Sequence, residues 1–303
     1  LFKIMNEIKL ISLSKNDTRL IEIEYSLINI SDQNSLNNLF KVFTPDIIFH
    51  AAAFKHVPIL ENNKFQAMQN NIIGTYNLIK LSKLNKVKKF IFISTDKAIK
   101  PTSIMGCSKR ISELLMTHAN INTSNHNTAF SIVRFGNVIN SHGSVIPLFN
   151  DQIKNGGPLT VTHPEVTRYF MSIPEAVGLV LEVSTFSKHA EKFILNMGNP
   201  IKILDIAKKM IKLSGEQPYD NQTKSGIKIK FIGLRKGEKM HEELSQTNDF
   251  SSTKNKHIFR DNSEDTMIDH NELISDLNIL YNNYNDDKLI DYFKKYINDN
   301  LIS

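Results

Sequence analysis

Apolar residues recur along this chain in short β-branched or aromatic runs, separated by longer stretches of helical spacing. Runs of strand character are read at 8–13, 20–30, 46–53, 90–93, 130–135, 159–162, 193–197 and 227–232. Helical periodicity is read over 35–42, 65–84, 103–118, 145–155, 174–187, 203–214, 270–281 and 288–297, with Pro174 in a first turn. Residues 54–60 read as a loop, and the polar run 120–127 as a loop that bulges out. Strands alternating with helices at this spacing predict parallel βαβ units in a doubly wound α/β sheet. After Ser141 the alternation loosens. The expected organisation is a sheet domain over 1–142 to which 170–197 contributes, a smaller mixed α/β lobe over 143–260, and a helical tail over 261–303.

Composition narrows the class. The 303 residues are 41% hydrophobic and 22% charged, enough apolar material for a full core in one large or two unequal domains. The single cysteine, Cys107, excludes an internal disulfide framework and fits a reducing compartment, so a cytoplasmic location is expected. No run reaches the ~18 apolar residues of a membrane span, and no signal-peptide pattern opens the chain. Charge is uneven: residues 261–303 hold ten Asp/Glu and three Lys, a net −7, so an overall +6 leaves +13 on the rest. A basic body suits an anionic substrate. It does not suit nucleic acid, since the lysines show no aromatic interleaving and no known motif.

The densest chemistry lies in 90–110, FIFISTDKAIKPTSIMGCSKR. Here a buried strand stops at Ser94, Thr95, Asp96 and Lys97, and open α/β sheets bind ligands just past the carboxyl ends of their strands. Met105 and Lys109 are four apart on the helix that follows, so they share one face. Ala51, Ala52 and Ala53, at the end of an earlier strand, would let a backbone or a flat ligand approach closely.

The order of motifs resembles one family. HAAAFKHVP at 50–58, NNIIGT at 70–75, ISTDKAIKPTSIMGCSK at 93–109, RFGNV at 134–138, GSVIPLF at 143–149, VTHPEVTRYFM at 161–171 and LRKGEK at 234–239 run in sequence. The chain is similar to extended short-chain dehydrogenase/reductases, and within them to the nucleotide-sugar 4,6-dehydratases of polysaccharide biosynthesis. That resemblance implies a Rossmann-like sheet and NAD as cofactor. It implies a UDP-sugar substrate, UDP-N-acetylglucosamine foremost, a homo-oligomer and no metal. Such enzymes oxidise the sugar at C4, remove the C5 proton, lose water across C5 and C6, and return the hydride to C6. The resemblance assigns Thr95 to the C4 oxygen, Asp96 as the acid and Lys97 as the C5 base. Lys109 is assigned to the nicotinamide ribose. Met105 stands where most of the superfamily has tyrosine, as it does in one branch of these dehydratases. Cofactor contacts fall on Asn29, Ile30, Ala51, Ala52, Ala53, Asn71 and Lys109. Substrate contacts fall on Lys55, His56, Asn137, Arg168, Arg235 and Glu238, with arginine suited to phosphate by its bidentate fork.

The front departs from the pattern. A strand followed by a glycine-rich turn normally meets the pyrophosphate, yet no glycine precedes Gly74. Ser14 occupies the place of an expected aspartate, and Asn29-Ile30 that of an Asp-Val/Ile pair. The sequence therefore reads as beginning after the first strand and helix of the sheet. Three functions follow: an NAD-dependent dehydratase, an epimerase of the same fold, or a fragment that binds sugar nucleotide without turnover. The Asp96-Lys97 pair favours the first, because elimination needs both an acid and a base.

Overall fold

The computed structural model describes residues 4–8, 22–121, 127–141, 143–223, 225–247, 249–263 and 268–297. Its centre is strand β2 (Lys89–Thr95), whose alternation decides the layering. Phe90 and Phe92 turn to one face and enter a large apolar core, while Ile91 and Ile93 turn to the other. A strand buried on both faces carries an unbroken apolar run, and that is what the sequence presents here. β1 (Ile47–His50), β2, β3 (Ala129–Phe135) and β8 (Glu191–Leu195) pair in parallel. Two strands add to β8 in antiparallel sense, β12 (Ile258–Asp261) and beyond it β11 (Phe250–Ser252).

Helices cover both faces. The Phe90/Phe92 face carries α1 (Gln33–Val42), α3 (Gly74–Leu84) and α4 (Ile104–Ile121), and beyond them α8 (His270–Asn282) and α9 (Asp286–Ile297). From the last pair, Leu273, Leu277, Leu289 and Phe293 are fully buried in that core. The acidic end is thus a packed helical pair, amphipathic with its charge turned outward. The Ile91/Ile93 face is covered by α6 (Ile173–Phe186), capped by the Ser172 hydroxyl and opened by Pro174. A third core joins α5 (Val145–Lys154), β5 (Leu159–Val161) and α7 (Ile203–Leu213) through Phe149, Leu159, Val161, Ile203 and Ile211. β10 (Ile229–Phe231) pairs with β5 to close this lobe, and two short ladders, β4 (Asn137–Val138) with β7 (Phe170–Met171) and β6 (Thr167–Arg168) with β9 (Ile201–Lys202), make up the remaining strands among the described residues.

Several segments differ from the pattern-based reading. Of the strand read at 20–30, residues 20–21 lie outside the described residues, and 22–29 form no strand: their side chains are mostly exposed, and no strand pairs with them among the described residues. Alternation alone cannot make a strand where no ladder partner satisfies the backbone. Of the strand read at 8–13, residue 8 ends a helical turn over 4–8, and 9–13 lie outside the described residues. The loop read at 54–60 contains α2 (Val57–Glu61), where Pro58 fits the first turn. The long helix read at 65–84 is interrupted by a π segment, Ala67–Ile73. Neither β11 nor β12 was expected. Most of 120–127 also lies outside the described residues.

One buried ionic cluster ties the layers together. Arg134 on β3 is 1% exposed and grips Glu113 of α4 with two prongs, Nε to Oε1 at 2.7 Å and Nη2 to Oε2 at 2.8 Å. Its Nη1 donates to Asp261 of β12 at 2.6 Å. Glu113 also accepts from Arg110 at 3.1 Å and from the Ser94 hydroxyl at 2.6 Å. Burial alone would favour the neutral acid. The charges of Arg134 and Arg110 and the donated hydrogen bonds outweigh it and hold the Glu113 carboxyl below the usual range. Removing one member strands the others in a dry interior. Arg134→Met should therefore destabilise the chain by about 3–5 kcal/mol, read from the urea midpoint at neutral pH.

Candidate active site

The carboxyl ends of β1, β2 and β3 open onto a cavity of about 530 Å³. One wall is sheet-derived: Ala51, Ala53, Lys55 and His56 after β1, Thr95 at the end of β2 with Lys97 after it, and Asn137 after β3. Met105 and Lys109 of α4 close its floor, and Arg168, Arg235, Glu238 and Glu242 line the opposite side. This is where a doubly wound sheet is expected to hold its ligand.

Local rules place the central residues. β2 ends as Thr95 caps a single 3-10 turn, Asp96–Ala98, with its hydroxyl accepting from the Lys97 amide and donating to Asp96 Oδ1 at 2.8 Å. That turn fixes Asp96 inside and sends Lys97 toward the cavity. The helix α4 must then pass close behind it. A Cβ at Gly106 would lie 2.4 Å from the Lys97 carbonyl oxygen, so only glycine lets α4 approach. Gly136 packs tightly on the other side, where a Cβ would lie 3.0 Å from Asp96 Oδ2 and from the Tyr169 Cβ.

Lys97 sits among acceptors. Its Nζ donates to Asp96 Oδ1 at 3.0 Å and Asn137 Oδ1 at 3.2 Å, and lies 3.4 Å from Glu242 Oε1. Burial works against its charge and Arg168 opposes it, but the two carboxylates prevail and raise the amine above its usual range. Lys109 has the opposite fate. Its Nζ donates to the Ile93 carbonyl at 2.5 Å and lies 3.8 Å from the centre of the Phe92 ring. Burial pulls it down to about 7, and the charge of Glu113 only partly restores it. The site thus holds one committed ammonium and one amine poised near neutrality.

The remaining candidates divide. Lys55, His56, Asn137, Arg168, Arg235 and Glu238 all line the cavity, as do Thr95, Lys97, Met105, Lys109, Ala51 and Ala53. Asp96 is fully buried and is not among the wall residues; it meets the cavity through Thr95 and Lys97. Ala52, Asn29, Ile30 and Asn71 also stand off the wall. Asn29 Oδ1 accepts from the Ser31 amide and hydroxyl, and Ile30 packs into the core beside α3. Asn71 is a buried clamp: it exchanges hydrogen bonds with the Phe54 backbone at 2.8 and 3.0 Å and donates to Ser108 at 2.9 Å. It holds the alanine loop against α4. Arg168 is committed to Glu238 at 3.0 Å and to the carbonyls of Thr167 and Met240. Glu242 went unread in the sequence: the run HEEL has no periodicity and no spacing that marks one carboxylate as buried. No group of three His, Cys, Asp or Glu among the described residues is arranged to hold a metal ion. No helix among them is long and apolar enough to cross a membrane.

Fold and site together define an α/β protein with a mainly parallel central sheet and a ligand-sized cavity past its strand ends, and the comparisons with known proteins give its family. The chain belongs to the polysaccharide biosynthesis protein family, whose profile matches residues 2–263. It is 46% identical over 237 residues to the capsular polysaccharide biosynthesis protein CapD of Staphylococcus aureus, covering 78% of this chain and 38% of CapD. The chain therefore spans well under half of that relative's length. Among solved structures it resembles Pen from Bacillus thuringiensis, with 37% identity, a TM-score of 0.72, and 84% and 77% of the two chains covered. The fold also matches DesIV, a dTDP-glucose 4,6-dehydratase from Streptomyces venezuelae solved with NAD bound. There the TM-score is 0.64 and the identity 18%, with 79% and 75% covered.

Lys109 gives a pH test. Its amine is at about 7 in the fold and returns toward 10.5 on unfolding, so the unfolded chain binds the extra proton across that window. Stability from this group rises with pH from about 7 upward, by roughly 1.4 kcal/mol per unit at most. Lys109→Met lacks the term. The urea-midpoint difference between wild type and variant should shift toward wild type between about pH 7 and 9.

Proposed function

We propose that this chain is the catalytic part of an NAD-dependent nucleotide-sugar 4,6-dehydratase acting on a UDP-N-acetylhexosamine. The observation that carries this reading is Lys97, an amine at the cavity wall bonded to one buried carboxylate and facing another. A 4-epimerisation needs only proton exchange at the C4 hydroxyl and hydride transfer. Elimination across C5 and C6 needs in addition a base at C5 and an acid for the departing C6 hydroxyl. An amine between carboxylates suits that second demand.

The cavity wall also suits the cofactor at its nicotinamide end. Ala51 and Ala53 present only methyl groups to the cavity, and Lys109 offers a donor beside them. Ala51, Ala53, Met105 and Lys109 would hold that end, and NAD would supply hydride abstraction at C4 and its return at C6. The chain's own groups do the rest. Thr95 holds the C4 oxygen by its hydroxyl. Lys109, close to half-protonated near pH 7, exchanges the C4 hydroxyl proton, the duty that Met105 cannot perform. Lys97, once it has given up the proton it carries at rest, takes the proton from C5, and the C6 hydroxyl leaves as water on a proton supplied through the Asp96–Lys97 pair. Arg235 and Lys55, both cationic and on the wall, meet the diphosphate; Arg168 is already bound to Glu238 and serves to fix that side of the cleft.

Calorimetry with NAD⁺, alone and with UDP-N-acetylglucosamine, tests binding first, and micromolar affinity is expected. Turnover in deuterated water should then yield a product lighter by one water and carrying deuterium at C5. Lys97→Ala should lower turnover by about 100-fold or more without weakening NAD⁺ binding. A product of unchanged mass with inverted C4 would establish the epimerase instead.

A further inference from the structure

Lys97 poses a problem that the rest of the site must solve. With three acceptors around it, the Nζ is an ammonium at rest, and an ammonium cannot take a proton from C5. One neighbour has to receive the extra proton. Two carboxylates touch Lys97, and they differ in how their charge is held. Asp96 Oδ1 accepts both the Thr95 hydroxyl and Lys97, and the whole side chain is sealed behind the wall. Glu242 is different. Each carboxylate leaves one buried oxygen without a hydrogen bond, Asp96 Oδ2 and Glu242 Oε2, but the other oxygen of Glu242, Oε1, has only longer contacts, 3.4 Å to Lys97 and 3.9 Å to Arg168 Nε. Fewer donors hold this negative charge, and Glu242, unlike Asp96, lines the cavity.

We propose that Glu242 is the proton partner of Lys97, taking the amine's resting proton so that Lys97 can act at C5. This rests on the dehydratase reading above. The step balances within the protein: an N–H bond at Lys97 Nζ breaks, an O–H bond at Glu242 forms, and an ion pair becomes a neutral amine and a neutral acid. No redox partner is involved. Once protonated, Glu242 sits on the cavity wall with a proton to return. The fold fixes it there. The Met240 carbonyl accepts from the Thr167 amide at 3.1 Å and from Arg168, and Lys239 Nζ reaches the Ile99 carbonyl at 2.6 Å. The charged groups facing this centre are Asp96, Glu242, Glu238, Arg168 and Lys239. Three carboxylates meet Lys97, Arg168 and Lys239, a cluster without net charge, and a proton moved from Lys97 to Glu242 leaves that balance as it was.

The test uses Glu242→Gln, which keeps shape and a carbonyl acceptor but cannot be protonated in this range, beside Glu242→Asp. Turnover of Glu242→Gln should fall by about 100-fold, with KM for the UDP-sugar and NAD⁺ affinity within about threefold of wild type. Deuterium entry at C5 should fall in parallel, and Glu242→Asp should recover part of both. A second readout does not depend on the reaction. In protein labelled with ¹³C at lysine Cε, the Lys97 signal is assigned by its loss in Lys97→Ala. Its titration midpoint should move down by about one pH unit in Glu242→Gln, since one of two carboxylates favouring the ammonium is gone. Wild-type turnover in Glu242→Gln, or an unmoved Lys97 titration, would overturn the proposal. If Glu242→Gln does not fold, the same two readouts on Glu242→Asp decide, since a longer reach to Lys97 should lower both. If wild type shows no C5 exchange while the Lys97 midpoint still moves, the dehydratase reading falls and the proton partnership stands.

Discussion

The grip of Arg134 on Glu113 and Asp261 is the constraint to which the site answers. Fully desolvated charges are tolerated only when each has a partner of good geometry, because an unpaired buried ion costs several kcal/mol. The cluster meets that demand with a two-pronged contact and further donors from Ser94 and Arg110. Its members come from the central strand, its neighbour, the covering helix and the antiparallel addition. Each therefore has one acceptable position relative to the others. The consequence reaches the chemistry directly: Ser94 precedes Thr95, and Glu113 stands four residues after Lys109 on the same helix face. Once Glu113 is anchored, Lys109 is carried to the Ile93 carbonyl at the cavity floor.

The two site lysines show how environment divides a single side-chain type into two roles. Both are withdrawn from bulk water, and burial penalises the charge of both. Lys97 faces two carboxylates close by and stays charged. Lys109 faces an aromatic ring and a carbonyl, and its one carboxylate neighbour, Glu113, is already satisfied by two arginines. Groups of like chemistry whose proton affinities are pushed apart mark acid–base work. His50, one strand away, is the contrast. Burial and the charge of Lys109 press it down to about 3, so it stays neutral. Thr75 gives its only hydroxyl hydrogen to the Asn71 carbonyl, so His50 Nε2 must be the donor in their 2.8 Å bond. That histidine is structural.

Much of this was legible because buried strands write long apolar runs. The parallel core β1-β2-β3-β8 was read from such runs, and so were the cavity residues that follow them. What escaped the sequence had physical reasons. β11 and β12 are short, and half their side chains face out, so their apolar signal is weak; their pairing is set by a distant partner, β8. Residues 22–29 alternate as a strand would, yet no ladder satisfies them among the described residues. α2 was hidden by its proline, which reads as a loop until it is placed in a first helical turn. Asn71 has the side chain of a ligand contact, and only the structure shows that Phe54 and Ser108 consume its hydrogen bonds. Glu242 is the converse, one acid in a polar run whose burial follows from a lobe folding over it.

That last point bears on how the site is assembled. The amine and the sealed carboxylate belong to the sheet, whereas Glu242, Glu238 and Arg168 belong to the opposite wall, so competence depends on how the two are laced. The exposed Lys100–Glu243 pair across this boundary contributes at most about 1 kcal/mol, being screened by water. The sheltered contacts matter more. Thr102 donates to the Gly237 carbonyl, Lys239 to the Ile99 carbonyl, and Lys97 meets Glu242 within the cleft itself. Two of these three engage the segment that follows Lys97, one through the Thr102 hydroxyl as donor and one through the Ile99 carbonyl as acceptor, so the opposite wall is registered against the very turn that presents the amine. A shift of that wall by about one ångström away from Lys97 would take the 3.4 Å contact to Glu242 out of ion-pair range. The Lys97–Glu242 contact is therefore sensitive to the approach of the two walls, and positioning of that order governs what such a cleft can do.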